Sequence, residues 1–264
     1  MLKKRLIPTL FLKNGLIVRS EGFSYHQNLG NPLAEVRRYS EWNVDELIYI
    51  DISREKYYDL RRDDLKIMGK SALLEIIKDI SKVCFMPLTF GGGIRSIDEI
   101  RLRIQNGADK VTINTIAIED PSFISTSSEI FGSQCIVVSI DYKTINGKPW
   151  VFKGGLIKTE LDPIEWAKEV AQKGAGEIFF NSIDRDGQAE GYDIDLINRV
   201  AESVNIPVIA CGGAGMFEDF VELAEKTNVS AIAAGNIFHF TELAYPRAKE
   251  VLLKNKINVR SGIL

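Results

Sequence analysis

The sequence predicts a single (β/α)8 barrel, a TIM-barrel α/β fold built from two half-barrel repeats and spanning residues 1–264 as one domain. Two stretches predict it by repeating one another. Residues 87–114 and 207–236 each read strand, glycines, amphipathic helix, short strand, with Gly91-Gly92-Gly93 in the first and Gly212-Gly213 in the second. Length is the third observation, since 264 residues fit one barrel of the usual ~250-residue size.

Strand-length apolar runs alternate with helix-period segments along the whole chain. They fall at residues 6–12, 47–52, 86–90, 111–114, 135–141, 178–181, 208–211 and 231–234. The first run follows Lys3-Lys4-Arg5 and superficially resembles a signal peptide. It is too short, Lys13-Asn14-Gly15 ends it, and no small-residue cleavage site follows, so it reads as the first barrel strand. Trp42, Trp166 and Phe220 lie in helical patterns and are expected to pack on the barrel. Two long connections, residues 15–31 and 53–70, are read as loops at the active face. The second carries Tyr57, Tyr58, Arg61 and Arg62, which fit either an anion contact or a solvated helix entry.

Net charge is −3 with mixed signs, which implies neither nucleic acid nor a membrane surface. No apolar run is long enough to span a bilayer. Cys84, Cys135 and Cys211 give neither a metal spacing nor an even disulfide set, so a cytoplasmic, reducing setting is expected. No metal and no cofactor is expected. His26 is placed in a loop and His239 near a helix start; neither belongs to a nucleophile set.

Side chains two apart share a strand face. Arg5 therefore goes with Ile7, Thr9 and Phe11, Glu46 with Ile48, Lys110 with Thr112 and Asn114, and Glu177 with Phe179 and Asn181. If these faces point inward, two cations and two anions ring the strand-start end of the lumen. From the pattern alone, a structural salt-bridge cap outweighs a gate. At the opposite end, glycines after strands and before helices make bare-amide phosphate cradles. Two cradles in opposite halves predict a substrate with a phosphate at each end. Asp141 ends the fifth strand, where an acid in such barrels reads as catalytic. Asp186 follows the sixth, and Asp184 is read as holding the turn at Gly187.

Several motifs together carry a resemblance over essentially the whole chain. Leu88-Thr-Phe-Gly-Gly-Gly-Ile94, Gly107-Ala-Asp-Lys-Val-Thr-Ile-Asn-Thr115, Phe131-Gly-Ser-Gln134, Gly174-Ala-Gly-Glu177, Ser182-Ile-Asp-Arg-Asp-Gly187, Gly212-Gly-Ala-Gly215 and Ile237-Phe-His-Phe240 resemble the cyclase subunit of imidazole glycerol phosphate synthase. The resemblance implies a barrel paired with a class I glutaminase, whose ammonia crosses the lumen to a substrate at the far face. That substrate, in the family, is a phosphoribulosyl formimino-aminoimidazole carboxamide ribotide. The resemblance turns Arg5, Glu46, Lys110 and Glu177 into an ammonia gate and Asp109 into a partner-contact acid. It also makes Thr9, Thr89 and Thr112 tunnel-lining residues, and Gly92, Gly93, Asn114, Thr115, Asp186, Gly187, Gly212 and Gly213 phosphate-binding positions.

The family's catalytic pair is only half present. Strand five keeps Asp141, but Leu10-Phe11-Leu12-Lys13-Asn14-Gly15 stands where the family has Leu-Asp-Val-Lys-Asp-Gly. Phe11 cannot give or take a proton. Arg19 stands where lysine is usual, and the segment after strand two is long. A kept tunnel with altered chemistry is similar to glycosyl amidation-associated paralogues of surface-polysaccharide clusters, where ammonia goes to a separate sugar amidotransferase. The substrate is then a phosphorylated or nucleotide-linked small molecule. Three functions remain open at this point: ammonia supply for sugar amidation, histidine-pathway cyclisation with one acid, and a non-catalytic scaffold that activates a glutaminase.

Overall fold

The computed structural model describes residues 2–53 and 73–261. Tyr57, Tyr58, Arg61 and Arg62 lie outside the described residues. Eight strands form the barrel: β1 Arg5–Lys13, β4 Leu47–Asp51, β5 Leu88–Gly91, β6 Lys110–Ile113, β7 Ile136–Ile145, β10 Glu177–Ser182, β11 Val208–Cys211 and β12 Ala231–Ala234. Each is hydrogen-bonded in parallel to its neighbours, and the β7–β10 and β12–β1 pairings close the ring. All eight predicted strands are present. Their short, β-branched, apolar runs suit strands buried on both faces.

Helices cover the outside: α1 Pro32–Glu41, α2 Leu73–Ser81, α3 Ile97–Gln105, α4 Thr115–Glu119, α5 Ser122–Phe131, α6 Pro163–Gln172, α7 Ile194–Ser203, α8 Phe217–Lys226, α9 Ile237–Phe240 and α10 Ala244–Lys254. Their starts are set by local chemistry. Asn31, Ser96, Asp162 and Asp193 accept from first-turn amides, and Pro32 and Pro163 sit where a missing N–H costs nothing. Trp166 and Phe220 are buried between helix and barrel as expected, whereas Trp42 is the residue that ends α1 and is only partly buried.

Two apolar regions result. The large one lies between helices and sheet. The smaller one, made of Ile7, Ile48, Val137, Phe179, Ile209, Cys211, Ala231 and Ala233, fills the lumen. It contains the residues that period-two counting placed with Arg5, Glu46 and Glu177, so those faces do point inward.

Residues 15–31 are not a loop. They form an antiparallel hairpin, β2 Leu16–Glu21 and β3 Tyr25–Gly30, joined to the end of β1. His26 is therefore on a strand. A second antiparallel extension, β8 Lys148–Lys153 and β9 Ile157–Lys158, continues from β7. Both extensions rise from the carboxyl-end face.

Candidate active site

At the strand-start end, the four charges close into a ring. Arg5 Nη1 donates to Glu46 Oε2 at 2.6 Å, and its Nη2 donates to Glu177. Lys110 Nζ reaches Glu46 Oε1 at 2.9 Å and Glu177 Oε2 at 3.0 Å. The Thr89 hydroxyl adds a bond to Glu46 Oε1 at 3.0 Å. Both carboxylates are buried, while Arg5 and Lys110 keep partial access to solvent. Burial opposes the Arg5 charge, but Glu177 and Glu46 outweigh it and push its pKa up. Asp109 is exposed on the same face. Its Oδ2 accepts from the Leu88 amide at 2.8 Å, and its own amide donates to the Leu88 carbonyl. Asp109 thus pins the starts of β5 and β6 beside Lys110.

Above the ring, the lumen carries polar side chains. Thr9 and Thr112 are buried on the inward faces of β1 and β6, and the Thr112 hydroxyl has no hydrogen-bond partner. Thr9 lies beside the Cys211 thiol, and Asn181 of β10 stands level with Asp141 and steadies that carboxylate. An unmade hydrogen bond such as that of Thr112 costs free energy.

At the mouth, Asp141 is buried on β7. Ser139 donates to Oδ1 at 3.0 Å and Asn114 Nδ2 approaches Oδ2 at 3.3 Å. Asn181 is its Cα partner on β10. Burial pushes the Asp141 carboxyl up to about 7, against the pull of the Ser139 hydroxyl. A carboxyl in that range can both hold and release a proton at neutral pH. Strand β7 is four strands from β1 in either direction, so Phe11 and Asp141 stand on opposite walls of the barrel. Phe11 is 7 % exposed and packs edge-on against Phe23 of the hairpin turn, with ring centroids 6.2 Å apart. The mouth therefore has one acid-bearing polar wall and one aromatic wall.

The predicted phosphate positions separate into two groups. Gly187, Gly212 and Gly213 line one cavity of about 240 Å³ together with Phe11, Arg19, Asp186, Asn236 and Cys211. Gly212 and Gly213 have φ of +98° and +113°, and a Cβ on Gly213 would lie 2.1 Å from the Gly191 carbonyl, so only glycine fits. Gly92 and Gly93 adopt the same kind of backbone in the other half, with φ of +99° and +65°. The Asn114 side chain is engaged within the protein: its Nδ2 is turned to Ser139 and Asp141 and its Oδ1 accepts from the Gly154 amide at 2.7 Å. It ties β6 to the β8–β9 extension, beside Thr115, which opens α4. Asp186 is likewise engaged, accepting from the Ser20 hydroxyl at 2.6 Å and the Phe23 amide at 3.2 Å. Burial raises its pKa, with Ser20 and Phe23 opposing. Asp184 does not hold the Gly187 turn; its carboxylate accepts from the Thr144 amide at 2.6 Å.

Ser20, Phe23 and Asn236 were missed by sequence reasoning. Asn236 Nδ2 donates to the Ser20 carbonyl at 2.7 Å, and Phe23 packs where a Cβ of Gly155 would lie. The hairpin thus crosses the mouth and is held at the second cradle. Its signal was faint: Leu16-Ile17-Val18 is the one apolar run in residues 16–30, and the holding contacts are polar and distant in sequence.

Residues 5–244 match the model of the histidine biosynthesis protein family. The chain is 42 % identical over 262 residues to the imidazole glycerol phosphate synthase subunit HisF of a Hydrogenobaculum species, covering 98 % of this chain and 100 % of that protein. It is 44 % identical over 261 residues to HisF of Sulfurisphaera tokodaii, with the same coverage. To HisF of Caulobacter vibrioides it is 40 % identical over 267 residues, covering 100 % of this chain and 98 % of the relative. A closed parallel barrel, a lumen-facing charge ring and near-full-length similarity converge: the chain belongs to the histidine biosynthesis protein family, among its HisF-type barrels.

Proposed function

We propose that the chain is the barrel subunit of an imidazole glycerol phosphate synthase-type complex. It takes ammonia from a class I glutaminase at the strand-start face and uses it at the opposite mouth. The observation that carries this reading is the lumen: a paired charge ring at one end, inward-facing Thr9 and Thr112 between, and Asp141, held up to about 7 by burial, at the other. Arg5, Glu46, Lys110 and Glu177 act as the gate, Asp109 stands at the partner contact, and Asp141 moves the proton when ammonia attacks. The glycine cradles hold a phosphate at each end of the ribotide. The curated relatives carry the histidine-pathway name, and this favours that pathway over supply of ammonia to a sugar amidotransferase.

Phe11 favours the second reading, ammonia supply for glycosyl amidation, because a two-acid reaction has lost one partner. The test is formation of imidazole glycerol phosphate from the ribotide with ammonium salts. Turnover lowered about 10²–10⁴-fold against a two-acid relative, and raised by Phe11→Asp, supports the proposal. A folded chain that stimulates a glutaminase but forms none of the product transfers the case to the amidation reading.

A further inference from the structure

The two half-barrels build their glycine cradles differently. Helices α3 and α8 start at equivalent places after β5 and β11, so Ile97 corresponds to Phe217, Ile100 to Phe220 and Arg103 to Leu223. Even the start-of-helix bonds repeat: Glu99 accepts from the Arg95 amide at 2.6 Å, and Asp219 from the Gly215 amide at 2.7 Å. At the third buried position the halves part. Leu223 is a fully buried hydrocarbon, whereas Arg103 is a cation only 5 % exposed. Its Nη2 donates to the Gly92 carbonyl at 2.7 Å, and its Nη1 to the Glu99 carbonyl at 2.9 Å. The guanidinium lies 3.9 Å from where a Cβ of Gly93 would be. The corresponding Leu223 can donate nothing to the Gly212 carbonyl, the counterpart of Gly92; one residue on, the Gly213 carbonyl accepts from the Gly191 amide at 2.9 Å.

We infer that Arg103 is a positioning residue that presets the Gly92–Gly93 cradle as an anion site, through a side-chain bond that Leu223 of the second cradle cannot make. The inference rests on the reading of both cradles as phosphate sites. In a trans peptide the carbonyl and the following amide point opposite ways. With the Gly92 carbonyl drawn back onto Arg103, the Gly93 N–H is held outward, away from the helix. Gly92 and Gly93 have no Cβ and adopt positive φ, so no side chain of their own restrains this peptide. A charge-assisted bond is stronger than a neutral one, and it fixes the donor before the anion arrives. The cation itself also favours the more highly charged form of a phosphate monoester at this cradle.

The experiment follows the Gly93 and Gly213 amide resonances during titration with inorganic phosphate at neutral pH. Both move in the wild-type chain if both cradles bind. Arg103→Leu installs what the other half carries, and Arg103→Lys keeps the charge but not the fork. Expected is an affinity read at Gly93 weakened about tenfold or more in Arg103→Leu and less in Arg103→Lys, with the Gly213 response unchanged. If Arg103→Leu proves unfolded, the Lys variant alone decides, by weakening Gly93 and sparing Gly213. Equal Gly93 affinities in wild type and the folded variants overturn the role of Arg103 and leave the cradles standing. A wild-type chain in which neither amide moves overturns the cradles themselves.

Discussion

The two ends of the lumen solve opposite problems with the same residue class. At the strand-start end, two buried carboxylates each meet both cations, and every charge is answered. At the mouth, the buried Asp141 carboxyl has Ser139, Asn114 and Asn181 as its hydrogen-bonding neighbours rather than cations, and burial holds its pKa up to about 7. Opposite charges offset the burial of the carboxylates at one end; at the other, burial without a cation favours the protonated acid. Charge balance is what separates the two ends of this barrel.

Removing the Asp141 carboxyl is the strongest way to break that contrast. Asp141→Asn keeps the shape and removes the titration, and should lower ammonia-dependent turnover about 10²–10⁴-fold with glutamine or ammonium as source. The same variant sharpens the contrast through stability. The Asp141 carboxyl is raised from 3.8 to about 7 on folding, so the folded state holds the proton more tightly. The stability this lends is fully present below about pH 4 and is lost as pH rises through 7. Asp141→Asn should therefore melt higher than wild type at pH 8, and the gap should narrow toward pH 5. A gap independent of pH would remove Asp141 from its buried, unpaired role.

At the other end the sign reverses. Glu177→Ala strips a partner from Arg5 and Lys110 at once and should destabilise the fold by about 3 kcal/mol in urea unfolding. Unfolding midpoints that match wild type would mean that water, not Glu177, balances the two cations. The smallest effect is expected at the hairpin. Ser20→Ala deletes the 2.6 Å bond to Asp186 and should cost about 1 kcal/mol. Faster amide exchange in residues 16–30, with the barrel unchanged, would show it; unchanged exchange would mean that Asn236 and Phe23 hold the hairpin alone.

The strand-start end was legible in the sequence because period-two counting from Ile7, Ile48 and Phe179 places Arg5, Glu46 and Glu177 inward, whatever the neighbours are. The cradles were legible because Gly92 and Gly212 occupy backbone shapes that other residues avoid. The mouth was less so. Asn114 and Asp186 look like ligand contacts in a motif, yet their side chains are bonded to Gly154, Ser20 and Phe23 from segments far away in the chain. The β2–β3 hairpin escaped for the same reason: β3 is largely exposed and polar, and tertiary hydrogen bonds rather than periodicity make it a strand. Arg103 did leave a trace, a cation at the position of α3 where Ile97, Ile100 and Ile104 set the apolar face.

The central claim is that ammonia passes the charge ring on its way to Asp141. Lys110→Met keeps the stem, drops one charge and leaves Arg5 to balance part of the ring. The decisive measurement is the ratio of ammonia released to ammonia built into product, in the complex with a glutaminase, for wild type and folded Lys110→Met. A conduit predicts that the variant leaks: the ratio rises with glutamine as source, while turnover with ammonium salts changes little. An unchanged ratio would contradict the account and return Arg5, Glu46, Lys110 and Glu177 to a structural cap.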